Sequence, residues 1–205
     1  MLNPVRLKLD LAIKGLRLSE ALASESLFQA TPSARDYASR DVELLLPDGI
    51  IATCPVGTSN ADRSPWQLAV KNDRFFITRD GPDTEDPQSV DVQVIAPPAF
   101  YNMTTSEGRP MWQVGTVHAG YISIDPASAC GFAVKGVACK FCTLENMVPS
   151  KEVEFCPVEE VVEVVRAAFE EGAAEFVYFN TGYFDSDDGG IGFLEPYVKA
   201  VKRQF

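Results

Sequence analysis

Between residues 41 and 100 the chain alternates apolar and polar positions in short runs: DVELLL, GIIATCPV, WQLAVKN, RFFITRD and SVDVQVIA. Runs of this length, rich in Val, Ile and Phe, predict β-strands with one face toward a core. Pro47-Asp48-Gly49, the Lys71-Asn72-Asp73 step and Gly81-Pro82-Asp83 separate them, and these residues favour turns. The expectation is a small, mostly antiparallel β-rich unit. Ahead of it, the first thirty residues carry leucines and alanines at three- and four-residue steps, which predicts one or two amphipathic helices with Gly15 as a break. Residues 97–110, PPAFYNMTTSEGRP, are polar and proline-flanked and read as a linker or exposed loop.

The second half has a different rhythm. Residues 113–125, QVGTVHAGYISID, form an apolar run that predicts one buried strand, and a glycine-containing loop with three cysteines follows. PVEEVVEVVRAAFEEG then has Pro157, Glu159 and Glu160 as start signals and Gly172 as a stop signal, predicting a helix. AEFVYFN, residues 174–180, reads as the next strand, and GFLEPYVKAVKRQF as a closing helix. Strand, loop, helix, strand, loop, helix is the opening of a parallel βα array. The fold class is therefore α/β: an α+β N-terminal domain over 1–112, followed by βα units over 113–205. Two parallel strands need covered faces and further neighbours. Either the first half supplies that cover, or the 205 residues are the opening part of a longer polypeptide.

With 46% hydrophobic and 23% charged residues, the composition is that of a soluble globular protein. Eighteen Lys and Arg against 29 Asp and Glu give a formal charge of −11. Such a charge repels phosphate backbones and argues against general nucleic-acid or anionic-membrane binding. Arg6, Lys8 and Asp10 break the apolar residues of the first fourteen positions, so no secretory signal is read there, and a cytoplasmic protein is expected.

Five cysteines do not suit a secreted disulfide framework. Cys54 stands alone, whereas Cys130, Cys139, Cys142 and Cys156 fall within 27 positions. The first three form C-x8-C-x2-C directly after a predicted strand. Thiolates are the preferred ligands of iron–sulfur clusters and structural zinc, and a C-x2-C pair on a tight loop puts two sulfurs within reach of one site. Gly131 and Gly136 let the backbone fold round a bound group, and Lys135 and Lys140 favour the thiolate electrostatically.

This arrangement resembles the radical S-adenosylmethionine (radical SAM) superfamily over roughly residues 115–205. In that family three cysteines after the first barrel strand hold a [4Fe-4S] cluster, with an aromatic residue before the last of them, the place of Phe141 here. The usual spacing is C-x3-C-x2-C, and this chain has eight residues in the first gap. Asn180-Thr181-Gly182-Tyr183, at the end of the second strand, sits where the family has its glycine-containing segment against the methionine moiety, and only the glycine matches. The resemblance implies the first βα units of a partial TIM-type barrel. It implies Cys130, Cys139 and Cys142 as cluster ligands, Phe141 beside the adenine, and Asn180, Thr181 and Gly182 at the methionine end of S-adenosylmethionine. It further implies generation of a 5′-deoxyadenosyl radical that abstracts hydrogen from a substrate the sequence does not name, with electrons from a reductant such as a flavodoxin or ferredoxin.

Other readings stand beside it. Cys130, Cys139, Cys142 and Cys156 would complete a four-thiolate zinc site in a non-catalytic interaction module, and the thiols are otherwise inert. Cys156, next to Pro157, and Cys54, in a β-run, read as packed residues. His118, the only histidine, reads as a structural hydrogen-bonding residue before a general base. The acidic loop of Asp185, Asp187 and Asp188 reads as solvated and lacks the closing glutamate of an EF-hand.

Overall fold

A computed structural model describes residues 3–25, 28, 40–79, 89–127, 130–140, 154–184 and 186–205. These divide into two compact units, one formed by the described residues before Pro98, the other running from Pro98 to Phe205. The fold is mixed α/β.

In the first unit, helix α1 (Pro4–Lys14) is capped by Asn3, whose side chain accepts from the amides of Val5 and Arg6, and it buries Leu7 and Leu11. Gly15 ends it at φ 73°, as expected. Instead of a further long helix, a two-residue strand β1 (Arg17–Leu18) and one helical turn α2 (Glu20–Ala23) follow. All five predicted β-runs are strands: β2 (Arg40–Leu45), β3 (Ile51–Val56), β4 (Trp66–Lys71), β5 (Arg74–Arg79) and β6 (Ser89–Ile95). They pair antiparallel in a curled six-stranded sheet of order β1-β4-β5-β6-β2-β3, to which β1 adds in parallel. Curling brings the two edges together, because the Leu16 amide, beside β1, donates to the Pro55 carbonyl of β3 at 2.8 Å. Pro55 sits on an edge strand, where its missing N–H breaks no ladder. The concave side holds Leu44, Cys54, Val56, Trp66, Leu68 and Ile77 with the leucines of α1.

The second unit has a three-stranded sheet. Its first finding is a correction: residues 113–125 form a hairpin rather than one strand, with β7 (Gly115–His118) antiparallel to β8 (Tyr121–Ile124). Ala119 and Gly120 turn the chain with φ of 49° and 87°, the positive-φ pair that two-residue hairpins need. Helix α4 (Val158–Glu170) crosses over to β9 (Phe176–Phe179), which pairs parallel to β8, and α5 (Ile191–Gln204) packs on α4. A four-residue helix, α3 (Gly131–Val134), lies in the loop after β8. Ile122, Ile124, Val161, Val164, Val165 and Ala168 form the centre of this core.

Residues 98–110 are a second correction. Phe100 is buried in the core of this unit, and two glutamates of α4 with Glu171 just after it hold the segment in place. Glu160 accepts from the Thr105 hydroxyl at 2.8 Å and from Arg109 Nε at 3.1 Å. Glu163 takes the amide and hydroxyl of Ser106, and the Glu171 carboxylate takes the amides of Ala99 and Phe100. A stretch that is polar in sequence is polar because it supplies donors to these carboxylates. Among the described residues, no helix is long and apolar enough to cross a membrane.

Candidate functional site

The loops that follow β8 and β9 leave the same end of two adjacent parallel strands, the end at which βα proteins assemble their sites. The Asn180 amide donates to the Ile124 carbonyl at 2.9 Å, so the chain after β9 stays beside β8 for one more residue before it turns. Cys130 precedes α3 and is half-buried. Cys139 lies beyond α3 on the exposed part of the loop. Phe141 and Cys142 lie outside the described residues.

Cys130 and the segment from Asn180 to Tyr183 are brought into direct contact. The Tyr183 amide donates to Cys130 Sγ at 3.2 Å, and the Gly131 amide donates to the Tyr183 carbonyl at 2.7 Å. Gly182 is required by this approach: a Cβ there would stand 2.5 Å from Cys130 Cβ and 2.8 Å from its sulfur. Gly131 is constrained in turn, since a Cβ on it would lie 2.7 Å from the Tyr183 carbonyl oxygen. The rings of Phe132 and Tyr183 stack with centroids 4.1 Å apart and planes 6° apart, and Lys135 Nζ lies 5.9 Å from the Tyr183 ring centroid. Thr181 Oγ1 is buried and has no hydrogen-bond partner among the described residues. A buried hydroxyl without a partner is costly.

Among the described residues, no three His, Cys, Asp or Glu side chains are gathered to hold a metal ion; Cys142, the third thiol of the expected set, is not one of them. Cys156 packs against the core of the second unit. Burial, followed by the nearby Glu160 carboxylate, pushes its thiol up to about 11, and its carbonyl accepts from the Tyr197 hydroxyl at 2.7 Å. Cys54 is fully buried in the first unit, and burial pushes its thiol up to about 12. His118 Nε2 is 3.1 Å from the Thr116 hydroxyl within the hairpin. In the acidic loop, the Asp188 carboxylate accepts from the Ser186 hydroxyl and from the amides of Gly190 and Gly192. These bonds, the Ser186 one foremost, hold it below the ordinary aspartate range, and two of them go to amides at the start of α5. Asp185 is outside the described residues.

Sequence reasoning named Cys130 and Gly182 separately. It also named Gly131 for backbone freedom and Tyr183 as the end of its tetrapeptide, but missed Phe132 and the contacts by which these residues join the two segments. The available signal was the aromatic residue after Thr181-Gly182, matched by the aromatic residue two places after Cys130. Compared with protein-family models, characterised proteins and solved structures, the chain gives no match.

Proposed function

We propose that this chain is a radical SAM iron–sulfur enzyme, or the opening βα units of its partial TIM-type barrel. Cys130, Cys139 and Cys142 would ligate a [4Fe-4S] cluster, with S-adenosylmethionine as the second cofactor. The observation that carries the reading is the contact between Cys130 and Gly182. The first thiol of the motif and the glycine of the methionine-end segment are more than fifty residues apart in sequence. They meet at the same end of adjacent parallel strands. What supports such a group is that Cys130 and Cys139 flank a short helical turn on one loop, and that the Thr181 hydroxyl, buried and without a partner among the described residues, lies in the segment that meets Cys130. Phe141 would adjoin the adenine, while Asn180, Thr181 and Gly182 would line the methionine end.

When bound, the cluster and S-adenosylmethionine supply one-electron cleavage of a sulfonium bond and a carbon radical for hydrogen abstraction, and the protein's share is to position the reactive atoms and tune the cluster. In this chain, β8 and β9 fix the two loops and the Cys130 contact holds them together, with Cys130 itself half-buried. A flavodoxin or ferredoxin is the class of reductant that fits. The zinc-module reading requires Cys156 as fourth ligand; Cys156 is half-buried at the edge of the core of the second unit.

Anaerobic reconstitution of the full chain with iron and sulfide tests the proposal. Broad absorbance near about 400 nm, typical of thiolate-bound clusters, is expected, with four irons bound per chain. A stoichiometric zinc content with no such absorbance would refute it.

A further inference from the structure

We propose that the peptide joining Gly182 to Tyr183 is a positioning element for Cys130, donating its N–H to the cysteine sulfur and thereby setting the reduction potential of a cluster bound there. The inference rests on the radical SAM reading above and goes beyond it by giving the loop after β9 a second task. The bond is one half of a reciprocal lock: Tyr183 N–H to Cys130 Sγ in one direction, Gly131 N–H to the Tyr183 carbonyl in the other. Gly131 and Gly182 are both positions where a Cβ would strike the facing loop. The parallel stack of Phe132 on Tyr183 closes the side of the lock and holds the amide in line with the sulfur.

The consequence is electrostatic. One-electron reduction by an external donor adds negative charge that the ligand sulfurs share, and an N–H aimed at a sulfur stabilises that added charge. Hydrogen bonds to sulfur are among the factors that set cluster potentials, and losing contacts of this outer kind commonly changes metal affinity or activity by about 10–100-fold. Removing the donor therefore makes the cluster harder to reduce.

Two readings on the full chain test this, with Gly182→Ala, Phe132→Leu and Tyr183→Phe as variants. The first is hydrogen–deuterium exchange of the Gly131 and Tyr183 amides in the metal-free protein, and the second is a potentiometric titration of the reconstituted protein followed by electron paramagnetic resonance. Gly182→Ala should exchange both amides about tenfold faster and lower the one-electron reduction equilibrium about tenfold, which corresponds to about 59 mV. Phe132→Leu should move both readings the same way, by about threefold, and it carries the test if Gly182→Ala does not fold. Tyr183→Phe keeps the peptide donor and the ring, and should therefore shift both readings by less than either of the other two variants. Unchanged potentials in the first two variants would overturn the proposal, whether or not exchange quickens, because faster exchange alone is a purely structural effect. Failure of the wild-type chain to take up a cluster would instead refute the radical SAM reading, and the potential-setting role with it.

Discussion

Removal of the Glu160 carboxylate tests how the second unit is held together. Glu160 is 2% exposed and sits in the first turn of α4, where it accepts from Thr105 and Arg109. In Glu160→Ala the buried Thr105 hydroxyl loses its acceptor, a cost of about 1–3 kcal/mol. One buried methylene is lost, at about 0.8 kcal/mol. The Arg109 side chain is 43% exposed and regains water, so its ion pair adds no more than about 1 kcal/mol. The expected loss is about 3 kcal/mol. Urea unfolding followed by Trp112 fluorescence in a Trp66→Phe background reports on the second unit. Pairing Glu160→Ala with Thr105→Val should show a coupling of about 1.5–3 kcal/mol, because the two residues share one charge-assisted bond. Additive effects, with coupling below about 0.5 kcal/mol, would refute the view that this carboxylate fastens residues 98–110 to α4.

Three further outcomes follow from named contacts. Because the Cys54 thiol is pushed up to about 12, the folded first unit keeps its proton above pH 9 while the unfolded chain loses it. Stability should therefore be complete below about pH 9 and fall toward pH 12 by up to about 1.4 kcal/mol per pH unit; Cys54→Val should remove this part of the alkaline decline in urea midpoints, and an identical decline in the variant would contradict the assignment. Gly15→Ala would place a Cβ 2.7 Å from Ala61 Cβ and 2.8 Å from the Pro55 carbonyl, whereas Gly49, at nearly the same positive φ, has open space around it. Thermal unfolding should show Gly15→Ala costing at least about 2 kcal/mol and Gly49→Ala about 1 kcal/mol, and equal losses would refute the role given to the closure of β1 against β3. Cys156→Ala should leave reconstituted iron content unchanged and Cys139→Ala should abolish the cluster; loss of iron on replacing Cys156 would restore the four-thiolate zinc arrangement.

The legible part of this fold was local. Strands β2 to β6 show in the sequence because their alternation matches a sheet with one buried face, as in the strict inward alternation of Ala52, Cys54 and Val56. The Asn72 and Asp73 turn shows because both residues tolerate the positive φ they adopt. The β7–β8 hairpin did not show, since its turn carries Ala119 where asparagine or aspartate would be the usual signal, and apolar residues continue through it. The two-residue strand β1 is too short to leave any period. At the site, the cysteine spacing and the glycine after β9 were readable as separate motifs. Their contact depends on the parallel pairing of Tyr121 to Ile124 with Phe176 to Phe179, a long-range fact that no local pattern encodes. The donors offered to Glu160, Glu163 and Glu171 were likewise invisible, because polar residues that serve buried or facing carboxylates read the same as polar residues that face water.

The most direct measurement of the central claim is the electron paramagnetic resonance spectrum of the anaerobically reconstituted, dithionite-reduced chain with and without S-adenosylmethionine. A [4Fe-4S] cluster held by three cysteines has an iron open to that molecule, so the account predicts a clear change of the reduced-cluster signal on its addition, absent in Cys139→Ala. A reduced cluster whose spectrum is indifferent to S-adenosylmethionine would contradict the account.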